Sequence, residues 1–213
     1  MVTALPRPTP DAALITLAEP SGAPIRVYPG QFFTLSLSID GERLRRAYSL
    51  CSEAWGEVPE VQICVKRVSG GRVSGLLVDT LTVGARLDVH GPSGDYGLRP
   101  DAAAPSQLVL ISGGSGVTPH LAMIRAALRH CPQTSITFVY GSRSPAQALF
   151  LDELRALAAS YPQRLTLRLF VDDPQGEAWD GGVGRLTEAR DHGGPSPGTP
   201  PSRPRRVVRR LRP

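Results

Sequence analysis

The sequence predicts two domains, an antiparallel β-barrel followed by an α/β domain with a parallel sheet, and after them a disordered tail. Three observations lead to this prediction. Short apolar segments separated by turn residues fill the first 100 residues, strands alternate with helices after residue 106, and a stretch rich in proline and arginine begins at residue 191. The predicted ranges are 1–100, 106–190 and 191–213, and 213 residues suffice for two small domains.

The first range contains apolar segments that alternate or run apolar in the manner of β-strands. Glycine, proline, serine and aspartate occupy the segments between them, and these residues favour turns. Several strands at this spacing are typical of a small antiparallel barrel or sandwich. The stretch GPSGDYGLRPDAAAPS that follows is predicted to be a linker. The predicted strands are ALITLAE, QFFTLSLSI, RAYSLCS, EVQICVKRV and ARLDVHG.

After residue 106 the apolar period changes. QLVLIS, SITFVYGS and LTLRLFV are predicted strands, and HLAMIRAALRHC and ALFLDELRALAASY keep apolar residues at helical spacing. Strands that alternate with helices indicate a parallel sheet built from right-handed βαβ units.

Charge and composition exclude several classes of protein. The net charge of +5 comes entirely from the tail, which holds six arginines and one acid, so residues 1–190 are neutral and no nucleic-acid partner is expected. No apolar run approaches the roughly 20 residues that cross a bilayer, and the start lacks a signal-peptide pattern. We therefore expect a cytoplasmic protein without a membrane partner. Its three cysteines (Cys51, Cys64 and Cys131) should be buried and reduced, and we expect no metal site.

Arg46, Ala47, Tyr48 and Ser49 form the first motif with chemical potential. An arginine offers a fork of donors to a phosphate or carboxylate, and a neighbouring tyrosine can lay its ring on a flat ligand. An exposed strand arginine beside a half-buried tyrosine is the ordinary alternative, and four residues alone do not decide between the two.

A second motif follows about 20 residues later. Gly70 and Gly71 allow a tight turn, and Arg72, Val73 and Ser74 begin a short predicted helix whose free N–H groups would face an anion. A hairpin turn followed by an ordinary capped helix is the alternative.

The third motif, SGGSGVTP at 112–119, follows a predicted strand and opens a predicted helix. In this context glycines let a pyrophosphate approach the helix N-terminus, although the spacing is not G-x-G-x-x-G. A loop that only makes a tight turn is the alternative. The candidate residues are Gly113, Gly114, Ser115, Gly116, Val117, Thr118 and Pro119, of which the proline suits the first helical turn.

Ser142 and Arg143 end the second strand of the α/β range, in GSRS. Ligands of such sheets bind at the carboxyl ends of strands, where an arginine can meet a 2′-phosphate. These two residues therefore favour NADP over NAD, with a solvated loop arginine as the alternative.

Taken in order, the four motifs resemble those of one family, the ferredoxin-NADP reductase-like flavoproteins: R-x-Y-S, G-x-x-S, G-G-x-G-x-T-P and Y-G-x-R. The chain is particularly similar to reductase subunits of multicomponent oxygenases, such as the phenylacetyl-CoA epoxidase reductase group. The resemblance spans about residues 10–188 and rests on the segments YPGQFFTL, RRAYSLCS, VKRVSGGRVS, ISGGSGVTP and YGSRSPAQALFLDEL.

The resemblance implies an FAD-containing, NADPH-linked oxidoreductase. Arg46 would hold the flavin diphosphate, Tyr48 would pack on the isoalloxazine, and Ser49 would hydrogen-bond near its N5 edge. Residues 71–74 would cradle the phosphates. FMN stays open as the flavin, because YSLC also occurs in FMN-using relatives.

On the nucleotide side, the resemblance implies that residues 113–119 take the NADP pyrophosphate. Thr118 would lie where nicotinamide meets flavin, so Ser49 and Thr118 are the implied catalytic positions. Hydride would pass from nicotinamide C4 to flavin N5, with the cofactors supplying the chemistry. His90, His120 and His130 are spread over different elements and are expected to be structural.

The sequence departs from the family after Gly184-Arg185-Leu186. Relatives continue with a strand that ends in Cys-Gly-Pro, a helix and a last strand, and many also carry a four-cysteine [2Fe-2S] domain. We therefore expect an incomplete, truncated α/β domain in which the strand from Gln107 to Ser112 is an exposed edge. The electron acceptor would be a separate protein, ferredoxin-like or an oxygenase component. A flavin-binding remnant without turnover, or a protein whose basic tail binds an acidic partner, are the alternatives.

Overall fold

The computed structural model describes residues 1–186. The predicted tail at 191–213 and the last four residues of the predicted second domain lie outside the described residues. Within the described range, an antiparallel, strand-rich first domain is followed by an α/β domain with a parallel sheet, which confirms the predicted fold class.

The first domain contains eight strands and one helix in the described part of the chain. They form three antiparallel sheets in the orders β1-β2-β7, β3-β6 and β5-β4-β8, and an isolated bridge between Leu50 and Ile63 connects two of them. The elements are β1 (Val2–Ala4), β2 (Ala12–Ala18), β3 (Ile25–Val27), β4 (Phe32–Ile39), β5 (Glu42–Ser49), β6 (Gly56–Val58), β7 (Glu60–Lys66), α1 (Arg72–Asp79) and β8 (Asp88–Ser93).

One apolar core lies between these sheets. Phe33, Leu35 and Leu37 alternate along β4 and point into it, as the period of two in a strand requires. Leu77 of α1 packs into the same core and is fully buried. The alternation therefore fixes which face of β5, the antiparallel partner of β4, lies beside the core.

The second domain is a four-stranded parallel sheet with helices that pack on one face. Its described elements are β9 (Gln107–Gly113), α2 (Val117–His130), β10 (Ser135–Ser142), α3 (Leu151–Ser160), β11 (Leu165–Val171) and β12 (Gly182–Val183). The strand order is β12-β11-β10-β9, so β9 lies at the edge of the sheet in the described range, as predicted. On the opposite face Val109 and Ile111 are 53% and 64% exposed.

The structure differs from the prediction mainly at element ends. The apolar helical spacing starts at His120, but helix α2 begins at Val117, with Pro119 in its first turn as expected, because the glycine segment closes as one 3₁₀ turn at Gly114–Gly116 and leads directly into the helix. The predicted linker is partly structured, since its first residues belong to β8 and Leu98 is buried. The short strands β1, β3, β6 and β12 give too little periodicity to be predicted from the sequence.

None of the helices in the described range is long and apolar enough to cross a membrane. The three cysteines are buried and unpaired, as expected.

Candidate functional site

Arg46 and Tyr48 lie on the same face of β5, opposite Leu35 and Phe33 of β4. Tyr48 is half-buried against the core of the first domain, whereas Arg46 is exposed. Burial raises the pKa of Tyr48, and the charge of Arg46 opposes this shift. A cation and the edge of a half-buried ring are therefore neighbours on one surface.

The side chains of this strand have unused hydrogen-bonding capacity. Arg46 donates to the main-chain oxygen of Arg45 at 2.7 Å but forms no ion pair with a carboxylate in the described range. The hydroxyls of Tyr48 and Ser49 have no hydrogen-bonding partner among residues 1–186, and Ala47 is exposed. This set can bind a ligand that carries both an anionic and a flat aromatic part.

The predicted phosphate turn opens α1. Gly71 is the N-cap in an extended conformation, and no side chain caps the helix. An added Cβ at Gly71 would lie 2.5 Å from the hydroxyl oxygen of Ser74 and 3.0 Å from the main-chain oxygen of Val68, so a side chain there would displace the Ser74 hydroxyl. The Ser74 hydroxyl accepts from the N–H of Val68 at 3.1 Å and donates to the main-chain oxygen of Gly71 at 3.3 Å. Ser74 therefore holds the turn together, while the first N–H groups of α1 lack a side-chain acceptor.

The side chain of Arg72 is engaged within the protein. Its guanidinium donates to the Glu42 carboxylate at 2.6 Å and to the main-chain oxygen of Ile39 at 2.9 Å, and Asp40 lies at 3.2 Å. These partners occupy the guanidinium on the turn between β4 and β5, and Val73 is buried. Phosphate binding at this turn would therefore use the main-chain N–H groups rather than the Arg72 side chain.

The glycine segment of the second domain borders open space. Gly114 has φ = 52°, in the left-handed region that favours glycine, and an added Cβ at Gly113 or Gly114 would meet nothing within 4 Å. No side chain caps α2. The exposed Ser115 and Gly116 leave the main chain of this loop accessible. The loop therefore presents free main-chain donors at a helix N-terminus, which suits an anionic ligand.

The first turn of α2 is buried beneath this loop. Thr118 is 6% exposed and donates to the main-chain oxygen of Ser115 at 3.1 Å, while Val117 and Pro119 pack inside. The hydroxyl of Ser112 is buried without a partner among the described residues, 3.1 Å from where a Cβ on Gly116 would lie. Sequence reasoning did not assign a role to Ser112, although its position before the first glycine was a signal.

The parallel register brings the two nucleotide motifs to one edge of the sheet. Gly113 of β9 pairs with Gly141 of β10, so the glycine loop lies beside Ser142 and Arg143. Arg143 is exposed and has no ion pair in the described part of the chain. The loop after β11 lies next to these two residues, because the N–H groups of the following Asp172 and Asp173 donate to their main-chain oxygens at 2.9 and 3.0 Å.

Polar contacts also join the first domain to the second. Arg125 of α2 donates to the main-chain oxygen of Cys51 at 2.6 Å, two residues after Ser49. Lys66 of β7 donates to the main-chain oxygen of Gln147 at 2.9 Å. Sequence reasoning missed these residues, because each contact joins positions more than 70 residues apart and no local pattern signals it.

The residues present fit a flavin nucleotide and a pyridine nucleotide. For the flavin, the strand provides an unpaired guanidinium and a half-buried ring with a free hydroxyl. For the pyridine nucleotide, the loop combines two glycines that border open space with the orphaned hydroxyl of Ser112. The candidate site therefore consists of hydrogen-bond donors and an aromatic surface rather than of acidic or nucleophilic side chains.

Two family matches divide the chain in the same way as the structure. Residues 7–97 match the family described as "Oxidoreductase FAD-binding domain", and residues 110–197 match the family described as "Oxidoreductase NAD-binding domain".

Individual relatives agree with this assignment. One component of 1,2-phenylacetyl-CoA epoxidase from Escherichia coli (strain K12) is 39% identical over 162 residues, which are 75% of this chain and 45% of the relative. The glycine betaine monooxygenase reductase subunit of Chromohalobacter salexigens is 39% identical over 163 residues, 76% of this chain and 43% of the relative. The chain thus spans less than half the length of these relatives.

Among solved structures, the FAD/NAD-binding domain of nitric oxide dioxygenase from Vibrio cholerae superposes with a TM-score of 0.75 at 25% sequence identity. The match covers 89% of this chain and 79% of that structure. The domain order, the four motifs and these relatives all lead to the same assignment. The chain belongs to the ferredoxin reductase-like flavoproteins with FAD-binding and NAD-binding oxidoreductase domains.

Proposed function

We propose that the protein takes electrons from NADPH into FAD and passes them to a separate iron-sulfur or oxygenase partner. The observation that carries the proposal is the surface of β5, where the unpaired guanidinium of Arg46 lies beside the half-buried ring of Tyr48. FAD, when bound, would accept two electrons and a proton from the nicotinamide and release the electrons singly.

In this proposal each motif has a binding or positioning role. Arg46 and the N–H groups at Gly71, Arg72, Val73 and Ser74 hold the flavin diphosphate. Tyr48 covers one side of the flavin ring, and Ser49 offers its hydroxyl to the ring edge. The two phosphate contacts favour FAD over FMN, since a single phosphate needs only one of them.

The nucleotide motifs complete the proposal. Residues 113–119 hold the NADP pyrophosphate through main-chain donors, and Thr118 lies beside the nicotinamide. Ser142 and Arg143 select NADPH over NADH, supported by the unpaired and exposed guanidinium of Arg143 at the same sheet edge. Asp172 places a carboxylate on the neighbouring loop, but this group pairs with Arg185 at 3.6 Å.

The partner is proposed from the relatives. One is named as part of an epoxidase and another as a reductase subunit of a monooxygenase, and this chain spans less than half of each. A separate acceptor protein of either type would receive the electrons. We also propose the domain boundaries 1–100 and 106–190, and a cytoplasmic location, which the three unpaired cysteine thiols support.

One observation favours a second candidate, a flavin-binding protein without turnover. Strand β9 carries the glycine loop at its end, yet it has no neighbour on its outer side in the described range, and Val109 and Ile111 are exposed. A loop on an unsupported edge strand would bind NADPH weakly while the first domain kept its flavin.

Reconstitution followed by an electron-acceptor assay separates the two candidates. The purified protein is incubated with both FAD and FMN, and the flavin that it retains is identified after release by heat. Reduction of ferricyanide by the flavin-loaded protein is then followed with NADPH and with NADH. The proposal predicts retained FAD and NADPH-dependent reduction. Retained FAD without reduction by either nucleotide would support the second candidate, and retention of FMN alone would contradict the choice of flavin.

A further inference from the structure

The guanidinium of Arg125 on α2 connects this helix, which follows the glycine loop, with α3 and with the segment that follows the flavin motif on β5. It donates to the main-chain oxygen of Cys51 at 2.6 Å through one terminal nitrogen. Its Nε donates to Oε1 of Glu153 on α3 at 2.7 Å, and its other terminal nitrogen lies 2.5 Å from the same oxygen. The Arg125 side chain is only 21% exposed, so these bonds are partly shielded from water.

The Cys51 end of this contact is rigidly continuous with the flavin-motif strand. Cys51 lies two residues after Ser49, and its N–H donates to the main-chain oxygen of Gln62 on β7 at 2.8 Å. Leu50, between them, is fully buried. A displacement of the Cys51 carbonyl would therefore also displace Ser49 and Tyr48, because the residue between them is fixed in the core.

The helical end is equally continuous with the glycine loop. Arg125 lies eight residues after Val117, the first residue of α2. At 1.5 Å per residue this corresponds to about 12 Å of helix. Because a helix of this length behaves as a rod, the Arg125–Cys51 bond fixes how far the loop lies from Ser49.

Two other charged or polar groups of α2, Arg129 and His130, also contact the first domain, but they lie at the end of the helix far from the glycine loop. Arg129, one turn further along α2, is 71% exposed and lies 3.3 Å from Glu53. His130 lies 3.1 Å from the same carboxylate and stacks on Trp55 with ring centroids 4.9 Å apart. These groups hold the far end of α2, whereas Arg125 is a partly buried cation that bonds the segment directly after β5.

We propose that Arg125 is a positioning residue that sets the distance between flavin and nicotinamide for hydride transfer. The inference rests on the proposed function and adds a residue outside all four motifs. Hydride transfer is sensitive to the separation of the reacting atoms, so a small shift of α2 against β5 slows the transfer without removing any cofactor contact.

The test compares Arg125→Met and Arg125→Lys with the matched control Arg129→Met. Each variant is loaded with FAD, and flavin reduction is followed in a stopped-flow instrument at several NADPH concentrations. For Arg125→Met we expect a rate at saturating NADPH that is lower by about 10- to 100-fold, the scale of an ångström-sized misplacement. FAD affinity and half-saturating NADPH should stay close to the parent values. Arg125→Lys should recover part of the rate, and Arg129→Met should match the parent.

A second measurement needs no cofactor. In a Trp179→Phe background Trp55 is the single tryptophan, and it lies at the boundary that Arg125 holds. Arg125→Met should make Trp55 more accessible to acrylamide quenching in the flavin-free protein, and Arg125→Lys should do so less.

The outcomes are distinguishable from a failure of the proposed function. If the parent protein binds FAD but NADPH never reduces it, the proposed function fails. If the parent is reduced and Arg125→Met is reduced at the parent rate when saturated, the positioning role is wrong. An Arg125→Met variant with equal losses in FAD affinity and rate would show a role in folding or binding instead, which also overturns the proposal.

Discussion

The hydroxyl oxygen of Tyr96 lies 3.1 Å from Nε2 of His120, and the two side chains share a hydrogen bond between the interdomain linker and the first turn of α2. His120 is 5% exposed, and its ring meets Phe138 edge to face at 5.8 Å. Its Nδ1 is buried without a partner among the described residues. Burial lowers the pKa of His120 to about 4, so the ring is neutral at neutral pH.

This histidine should make the stability of the second domain depend on pH. Between about pH 6.5 and pH 4 the unfolded state binds a proton on His120 that the folded state does not, so stability increases with pH across this window and is complete above it. The free energy of unfolding is expected to be lower by on the order of 3 kcal/mol at the acidic end of this window. Urea unfolding at several pH values, with His120→Gln and the exposed-histidine control His90→Gln, measures this. A parent slope that persists in His120→Gln would contradict the assignment.

Arg46→Ala should weaken FAD binding by about 1.5–3 kcal/mol, or roughly 10- to 150-fold, the scale of a hydrogen bond to a charged group. Arg45→Ala is the matched control, because Arg45 is exposed on the same strand but lies on the other face. Titration of the flavin-free protein with FAD, followed by tyrosine and flavin fluorescence, gives both affinities. Equal affinities in the two variants would show that Arg46 does not hold the diphosphate.

Arg143→Ala should lower the preference for NADPH over NADH by about 10-fold or more, because only NADPH carries the 2′-phosphate that a guanidinium can pair with. The value of kcat/KM is measured with each nucleotide. NADH should be affected little, and Arg129→Ala, an exposed arginine on α2, should leave both values unchanged. Equal kcat/KM for the two nucleotides in the parent would refute this basis of specificity.

Strand β9 should cause self-association. Its outer side has no neighbour within residues 1–186, and Val109 and Ile111 are exposed, which is the pattern of an edge that pairs with other chains. Sedimentation velocity should show larger species as concentration increases. The Val109→Lys, Ile111→Lys double variant should remain smaller, whereas Val83→Lys, at a residue 62% exposed outside the sheet, should behave as the parent. A parent that stays monomeric at all concentrations would contradict the expectation.

Much of the fold could be predicted because local patterns of apolar and polar residues determine it. The period of two in β4 and the apolar segments SITFVYGS and LTLRLFV of β10 and β11 gave these strands nearly to the residue. The apolar spacing indicated α2 from His120 and Pro119 was expected in its first turn, and the helix begins at Val117, directly after a single 3₁₀ turn.

The candidate site was only partly accessible to the same reasoning. The motifs indicated Arg46, Tyr48 and the glycine loop, but the local sequence could not indicate that Glu42 occupies the guanidinium of Arg72. The contact between Arg125 and Cys51 was also hidden, since it depends on how the two domains pack. Long-range partners of charged side chains are set by tertiary structure, and a short motif does not encode them.

The proposed function requires this chain to bind FAD and to reduce it with NADPH. The most direct measurement is an anaerobic titration of the FAD-loaded protein with NADPH while the visible absorbance of the flavin is recorded. We predict that the absorbance bleaches and reaches its end point near one equivalent of NADPH, because each nucleotide delivers two electrons. A protein that retains no FAD, or one whose flavin spectrum is unchanged by excess NADPH and NADH, would contradict it.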